Sequence, residues 1–207
     1  MTIERRRTTA RPWQKTRWLY GQTMLASTAG LIASLVLSVD AYRLAQDPQT
    51  GPSCNINAVL SCGSVGSSEQ AHVFGFPNAF LGLITEPVVL TIAVCGLAGV
   101  RFPRWLLACA QGACTVGLGF SYWMLFESVF AIKALCPWCL LVTLTTTLVF
   151  AAITVLNVRN RTLPLPAGVQ ALAEQALSLD ADAFALAAWI LAVATVIVSR
   201  FGSALLQ

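Results

Sequence analysis

The chain has 207 residues, of which 11% are charged and 57% hydrophobic, with a formal net charge of +4. A soluble domain is about 25% charged, so this composition excludes a water-soluble globular fold and points to an integral membrane protein. The 13 Lys and Arg fall in short clusters, which report membrane topology and not nucleic-acid binding.

Residues 1–17 are basic and polar (Arg5, Arg6, Arg7, Arg11, Lys15, Arg17) and read as a cytoplasmic tail. The apolar run from Trp18 to Val39 makes a helix of roughly 30 Å, enough to cross a bilayer. It is too long for the apolar core of a secretory signal. It ends in Ser38-Val39-Asp40 without a small-x-small cleavage site, so it is expected to remain as a first transmembrane helix. Residues 40–77 form a polar loop rich in Gly, Ser, Asn and Pro that holds Cys54 and Cys62. A second span is expected over 78–100, a basic turn over 101–104, and a third span over 105–132. Lys133-Ala134-Leu135 makes a short connection, and Cys136 opens a fourth span that ends near Asn157. Residues 163–182 form a linker with apolar residues at helical spacing, expected to lie at the membrane interface. A fifth apolar run, 183–198, reaches about Phe201, and the chain stops at Gln207.

Basic residues orient this bundle. The tail, the 101–104 turn and Arg159 with Arg161 put ten Lys/Arg on one side, against Arg43, Lys133 and Arg200 on the other. The excess marks the cytoplasmic side, so both cysteine pairs are expected to face the extracytoplasmic side, where disulfides persist.

The chemistry lies in those pairs. In Cys136-Pro137-Trp138-Cys139 the i, i+3 spacing puts two sulfurs on one helical face, close enough to bridge. A helix N-terminus favours the thiolate, and Pro137 suits the first turn. A loop pair suits a protein partner. A helix-anchored pair at the membrane edge suits a lipid-soluble two-electron acceptor, a quinone. Two electrons then pass from loop pair to helix pair to quinone by thiol–disulfide exchange. The rival readings are structural disulfides, or a metal held by four thiolates, although the spacing of Cys54 and Cys62 is not that of a zinc knuckle. Cys95, Cys109 and Cys114 read as small apolar fillers of the spans. Glu127, near the outer end of the third span, is either functional, solvated or paired with Lys133. His72, the single histidine, is either a proton relay or an incidental loop residue. Trp138 reads as an interfacial anchor that shapes the pocket, and Trp13, Trp18 and Trp105 as a cytoplasmic aromatic belt.

The stretch Cys54-Asn55-Ile56-Asn57-Ala58-Val59-Leu60-Ser61-Cys62-Gly63-Ser64-Val65, then Phe74-Gly75-Phe76-Pro77-Asn78-Ala79, then Cys136-Pro137-Trp138-Cys139, resembles the vitamin K epoxide reductase (VKOR) family in its bacterial form. The resemblance covers residues 18–157. It implies an all-α integral membrane protein, a four-helix bundle around a quinone site with a fifth, peripheral transmembrane helix. It implies an oxidoreductase of the bacterial cytoplasmic membrane that takes electrons from thiols, passes them to a membrane quinone of the menaquinone or ubiquinone type, and uses no metal. Cys136 and Cys139 would be the active-site pair, with Cys139 nearer the quinone ring. Cys62 would attack or bridge Cys136, and Cys54 would exchange with the partner protein. Asn78 matches an asparagine that hydrogen-bonds a quinone carbonyl, where a donor stabilises the developing oxyanion. Ser68 matches a serine near the quinone. The DsbB family does similar chemistry, but its C-x-x-C precedes its loop pair; the order here is the VKOR one. Thr143 stands where vertebrate members carry tyrosine, which separates this chain from them in anticoagulant contacts and in vitamin K epoxide as substrate; reduction of that epoxide is the further alternative activity. Some bacterial relatives carry a fused thioredoxin-like domain after the fifth helix. With the chain ending at Gln207 on the outer side, the expected partner is a separate thioredoxin-fold oxidase, resembling DsbA. Gly51, Gly63 and Gly66 are expected to let the cysteine loop flex.

Overall fold

The computed structural model describes residues 12–47, 52, 54–55 and 59–205, with no side chains described at 12–13 and 203–205. The basic stretch 1–11, the Trp13 side chain and Gly51 therefore lie outside the described residues. The helices are α1 (Pro12–Gln46), α2 (Cys62–Gly66), α3 (Ala79–Leu97), α4 (Arg104–Phe126), α5 (Pro137–Asn160), α6 (Ala167–Ser178) and α7 (Ala181–Leu205). A 3-10 turn occupies Glu69–His72, and α4 runs on into a π-helical turn, Glu127–Ile132. Among the described residues five helices are long and apolar enough to cross a membrane: α1, α3, α4 with its π turn, α5 and α7.

α1 is longer than hydropathy implies. Its 35 residues extend about 52 Å, against a hydrocarbon core of about 30 Å. The first charged residue after the apolar run, Asp40, does not end the helix. Alanine, leucine, arginine and glutamine carry it on to Gln46, because they are good helix formers whatever their polarity. The polar loop thus begins after α1, not at residue 40. The 163–182 linker likewise contains a helix, α6. Gln170 Nε2 ties it to α5 by donating to Val158 O (2.9 Å), and Arg161 pairs with Glu174 (2.9 Å).

α1 packs along both α3 and α5, and α4 packs on α5, while α3 and α4 scarcely touch. Small residues allow the close α1–α3 approach: a Cβ on Gly82 would strike Ser34, and one on Gly96 would strike the Tyr20 ring. Buried polar groups bind α4 to α5. Asn157, fully buried, donates through Nδ2 to Gln111 Oε1 (3.0 Å) and Leu107 O (3.3 Å). Ser and Thr hydroxyls within the spans return to carbonyls of the preceding turn, as Thr147 does to Thr143 O (2.7 Å).

α7 lies at the periphery. Trp189 Nε1 donates to Tyr122 Oη (2.7 Å), and Phe201 closes a buried cluster with Val129 and Leu135. This seats the C-terminal end of α7 beside the connection leading to Cys136. At the opposite end of the bundle Lys15 of α1 pairs with Asp180, just before α7 (2.9 Å).

Candidate functional site

Backbone pairing brings the two cysteine pairs together. Leu60 and Leu135 form an isolated parallel bridge. Leu135 N–H donates to Val59 O (2.7 Å) and Ser61 N–H to Leu135 O (3.0 Å). Cys62 and Cys136 directly follow these paired residues. Each is then fixed by a helix start. Ser61 caps α2, its Oγ accepting from Ser64 N (3.1 Å). Asn55 Oδ1 accepts from Gly63 N (2.9 Å) and from Ser61 Oγ (3.1 Å). A Cβ on Gly63 would stand 2.9 Å from Asn55 Nδ2, so this glycine serves a close approach and not a hinge.

Cys136 is the N-cap of α5, with extended backbone, and Pro137 supplies the first turn. The Cys136 sulfur accepts from Cys139 N–H (3.3 Å). The Cys139 thiol beside it, helped by backbone N–H groups at the start of α5, holds the Cys136 thiol below its ordinary pKa; burial and the nearby Asp40 work against them.

Cys54 and Cys62 are joined in a disulfide, and Cys136 and Cys139 are free thiols. Cys54, Cys62 and Cys136 belong to one buried cluster, with Cys139 and Trp138 packed against it. The four cysteines singled out in the sequence therefore meet. Two further acidic residues also come into play. Asp40 is buried, with Oδ2 3.9 Å from Cys54 Sγ. Glu86, buried on α3, is the only charged residue of the second span. An ionisable residue inside a span is itself a signal of function, and this one was readable in the sequence.

Cys62, Cys136 and Cys139 border a cavity of about 610 Å³ enclosed by α1, α3, α4 and α5. Leu37, Phe74, Leu81, Val116, Phe120 and Leu140 contribute to its largely apolar wall. The cavity lies on the side where α3 and α4 leave a gap. Phe74 packs on Phe76 and Phe120 near that gap (ring centroids 5.9 and 5.7 Å), and Phe120 on Trp123 (5.6 Å).

Asn78 lines the cavity. Its Nδ2 donates to Gln70 O (2.7 Å) and lies 3.6 Å from Met124 Sδ, which leaves Oδ1 buried without a partner. The amide N–H that the resemblance assigns to a quinone carbonyl is here turned to the Gln70 carbonyl. Ser68 is not part of the wall; its hydroxyl donates to Val65 O (2.7 Å). Just past the end of α2, this serine finds a carbonyl one turn back. His72 is exposed, borders the cavity, and has Nδ1 3.3 Å from Ser68 O. Glu127 accepts from Gln70 Nε2 (3.4 Å), so Gln70 links it to Asn78. Thr143 gives its hydroxyl to Cys139 O (3.0 Å). Of the other cysteines, Cys114 also borders the cavity and Cys109 is exposed.

Such a fold and site define a membrane-embedded redox protein, with a disulfide and a dithiol stacked over an apolar intramembrane cavity. The chain belongs to the vitamin K epoxide reductase family, which matches it over residues 22–154. No curated protein matches it. Family membership makes it an oxidoreductase of the membrane, acting on thiols and quinones in the general sense.

Proposed function

We propose that the protein re-oxidises an extracytoplasmic thioredoxin-fold protein of the DsbA type and reduces a membrane quinone, and so drives disulfide formation outside the bacterial cytoplasm. One observation carries the reading: a closed disulfide and a dithiol share one buried cluster that opens onto an apolar cavity. The cavity walls fit a quinone in kind. They are apolar, border the gap between two spans, and reach Cys139 and Asn78. Asn78 and Cys139 would hold the ring, and the bound quinone supplies the acceptor for two electrons and two protons.

The cysteines then act in order. A partner thiolate attacks Cys54; the Cys54–Cys62 bond breaks and Cys62 leaves as thiolate. The partner's second thiol resolves the mixed disulfide and frees Cys54. Cys62 next attacks Cys136 of a closed Cys136–Cys139 disulfide, and Cys139 leaves. Cys54 attacks Cys62, which restores the loop disulfide and leaves Cys136 and Cys139 reduced. This last arrangement is the one in the structure. The helix pair finally closes its disulfide, giving up two electrons and two protons. The excess of ten basic residues against three supports an extracytoplasmic position for the cysteine end. Phe201, seated on Leu135, puts the C-terminal end of α7 on that same side.

The test is reconstitution in liposomes with defined quinones and a reduced DsbA-type protein. Wild type oxidises the partner only when quinone is present. Cys136→Ala and Cys139→Ala lose quinone reduction with every donor. Cys54→Ala fails with the protein partner but still accepts electrons from a small dithiol. Full partner oxidation by Cys54→Ala overturns the order of exchange, and turnover of vitamin K epoxide without any quinone activity overturns the reading as a whole.

A further inference from the structure

Asp40 is 9% exposed and lies toward the C-terminal end of α1, where the helix runs on past its apolar stretch. Its neighbours show which way this face of α1 looks. Leu37, one turn earlier, packs on the cysteine cluster, and Ala41 borders the cavity. An apolar residue at position 40 would complete that stripe, yet the chain places a carboxylate there. Among the described residues no basic side chain forms an ion pair with it. A charge taken out of water with no cation beside it is costly.

The carboxylate meets a reacting atom. Its Oδ2 stands 3.9 Å from Cys54 Sγ, at the long end of hydrogen-bond distances to sulfur. In the closed Cys54–Cys62 disulfide that sulfur carries no proton. The carboxylate therefore faces sulfur lone pairs and gains no hydrogen bond from the contact. Opening the disulfide changes this, because a Cys54 thiol is a donor and a carboxylate an acceptor. The same contact is thus unfavourable in one redox state and a charge-assisted hydrogen bond in the other. The charge also reaches the helix pair, since Asp40 works against the Cys136 thiolate.

We propose that Asp40 sets the oxidising strength of the loop pair: its carboxylate accepts a hydrogen bond from the reduced Cys54 thiol, favours the open dithiol over the disulfide, and leaves Cys62 as the sulfur that carries charge to the helix pair. The proposal rests on the order of exchange proposed above and bears on its first two steps. In the first, the partner's dithiol is oxidised to a disulfide and the loop disulfide is reduced. Two electrons pass to the loop sulfurs, and the partner's two protons end on Cys54 and Cys62. Asp40 takes up no proton. A thiolate at Cys54 would be repelled by the carboxylate, so Cys54 keeps its proton. Cys62 is then the sulfur that gives up its proton and attacks Cys136.

The test uses full-length protein in detergent carrying Cys136→Ser and Cys139→Ser, so that the loop pair is the disulfide that titrates. This parent protein is equilibrated anaerobically with glutathione and dithiothreitol buffers of defined potential, and the open fraction is read as the mass added by a thiol reagent. Asp40→Leu in that background is expected to shift the equilibrium about tenfold toward the disulfide, the worth of one hydrogen bond to a charged group. Tenfold corresponds to a midpoint about 30 mV lower for a two-electron couple. Asp40→Asn keeps an acceptor oxygen without the charge, and its midpoint is expected to fall by about half as much. An unchanged midpoint in Asp40→Leu, with or without a change in thermal stability, overturns the proposal and leaves a structural role. A higher midpoint overturns it too, since a protonated Asp40 donating to the disulfide would act in that sense. Should Asp40→Leu fail to fold, a second measurement on the parent protein decides. With the loop pair reduced and the alkylating reagent limiting, Cys62 is expected to react about tenfold faster than Cys54, although it is the more buried of the two. Equal rates, or a faster Cys54, overturn the proposal. A loop disulfide in the parent protein that a reduced DsbA-type protein does not open overturns the exchange reading and the Asp40 proposal with it, while the loss of the midpoint shift alone leaves that reading standing.

Discussion

Cys136 combines two positions that make a sulfur reactive: it caps α5, and it accepts from the neighbouring Cys139. The Cys139 thiol is the main cause of its lowered pKa, with burial and Asp40 opposing. A lowered pKa means that thiolate persists at lower pH, so alkylation of Cys136 in the fully reduced protein should reach half its maximal rate below about pH 8.5, the ordinary thiol value. Cys139→Ala should move that midpoint up, and Asp40→Asn should move it further down. A midpoint indifferent to both changes would remove the electrostatic account. The sequence shows the cysteines because their spacing and the helix start are local properties. Asp40 is harder to read: a charge after an apolar run looks like the end of a span, and only the packing of α1 against the loop buries it. The direction of the Asn78 amide is likewise set by a carbonyl eight residues earlier, that of Gln70. Asn78→Ala should impair quinone reduction and spare exchange with the partner protein. Equal loss of both would assign Asn78 to folding.

At the scale of elements, the proposed relay depends on two short pieces of backbone that no periodicity announces. The transmembrane runs are legible because a bilayer demands about 20 apolar residues in series. The parallel contact of Leu60 with Leu135 joins residues 75 positions apart through a single bridge, and nothing local distinguishes it from other loop. The five-residue α2 is similarly hidden, although Ser61 before Cys62 is a cap of the usual kind. Removing that cap should loosen Cys62 relative to Cys136. Ser61→Ala is expected to weaken the start of α2 by about 1 kcal/mol and to slow transfer from loop pair to helix pair about fivefold. The measurement is the stopped-flow rate of Cys62–Cys136 exchange, with oxidation of the helix pair by quinone as the control. A loss confined to the quinone step would show that the cap does not position the loop.

At the scale of the molecule, the order of helix packing decides what is exposed to lipid. α1 stands between α3 and α5, and α4 leans mainly on α5, so the side between α3 and α4 stays open and the cavity lies there. Sequence gives the number of spans but not this order, since hydropathy carries no information about which spans are neighbours. α7 stays outside the cavity, because none of its described residues borders it, yet it reaches the proposed relay by another route. Phe201 packs on Leu135, whose backbone holds Val59 and Ser61 in place, and Arg200 covers the Phe130 ring at 4.8 Å. Phe201→Ala should therefore lower stability, by less than the about 3–5 kcal/mol such a change costs in a water-soluble core, because lipid chains refill part of the space. It should slow exchange between the cysteine pairs and leave quinone affinity unchanged. Thermal unfolding in detergent, the exchange rate and quinone binding separate these effects. If quinone affinity falls in step with exchange, α7 belongs to the quinone site, and the division into a four-helix catalytic bundle and a peripheral fifth span is wrong.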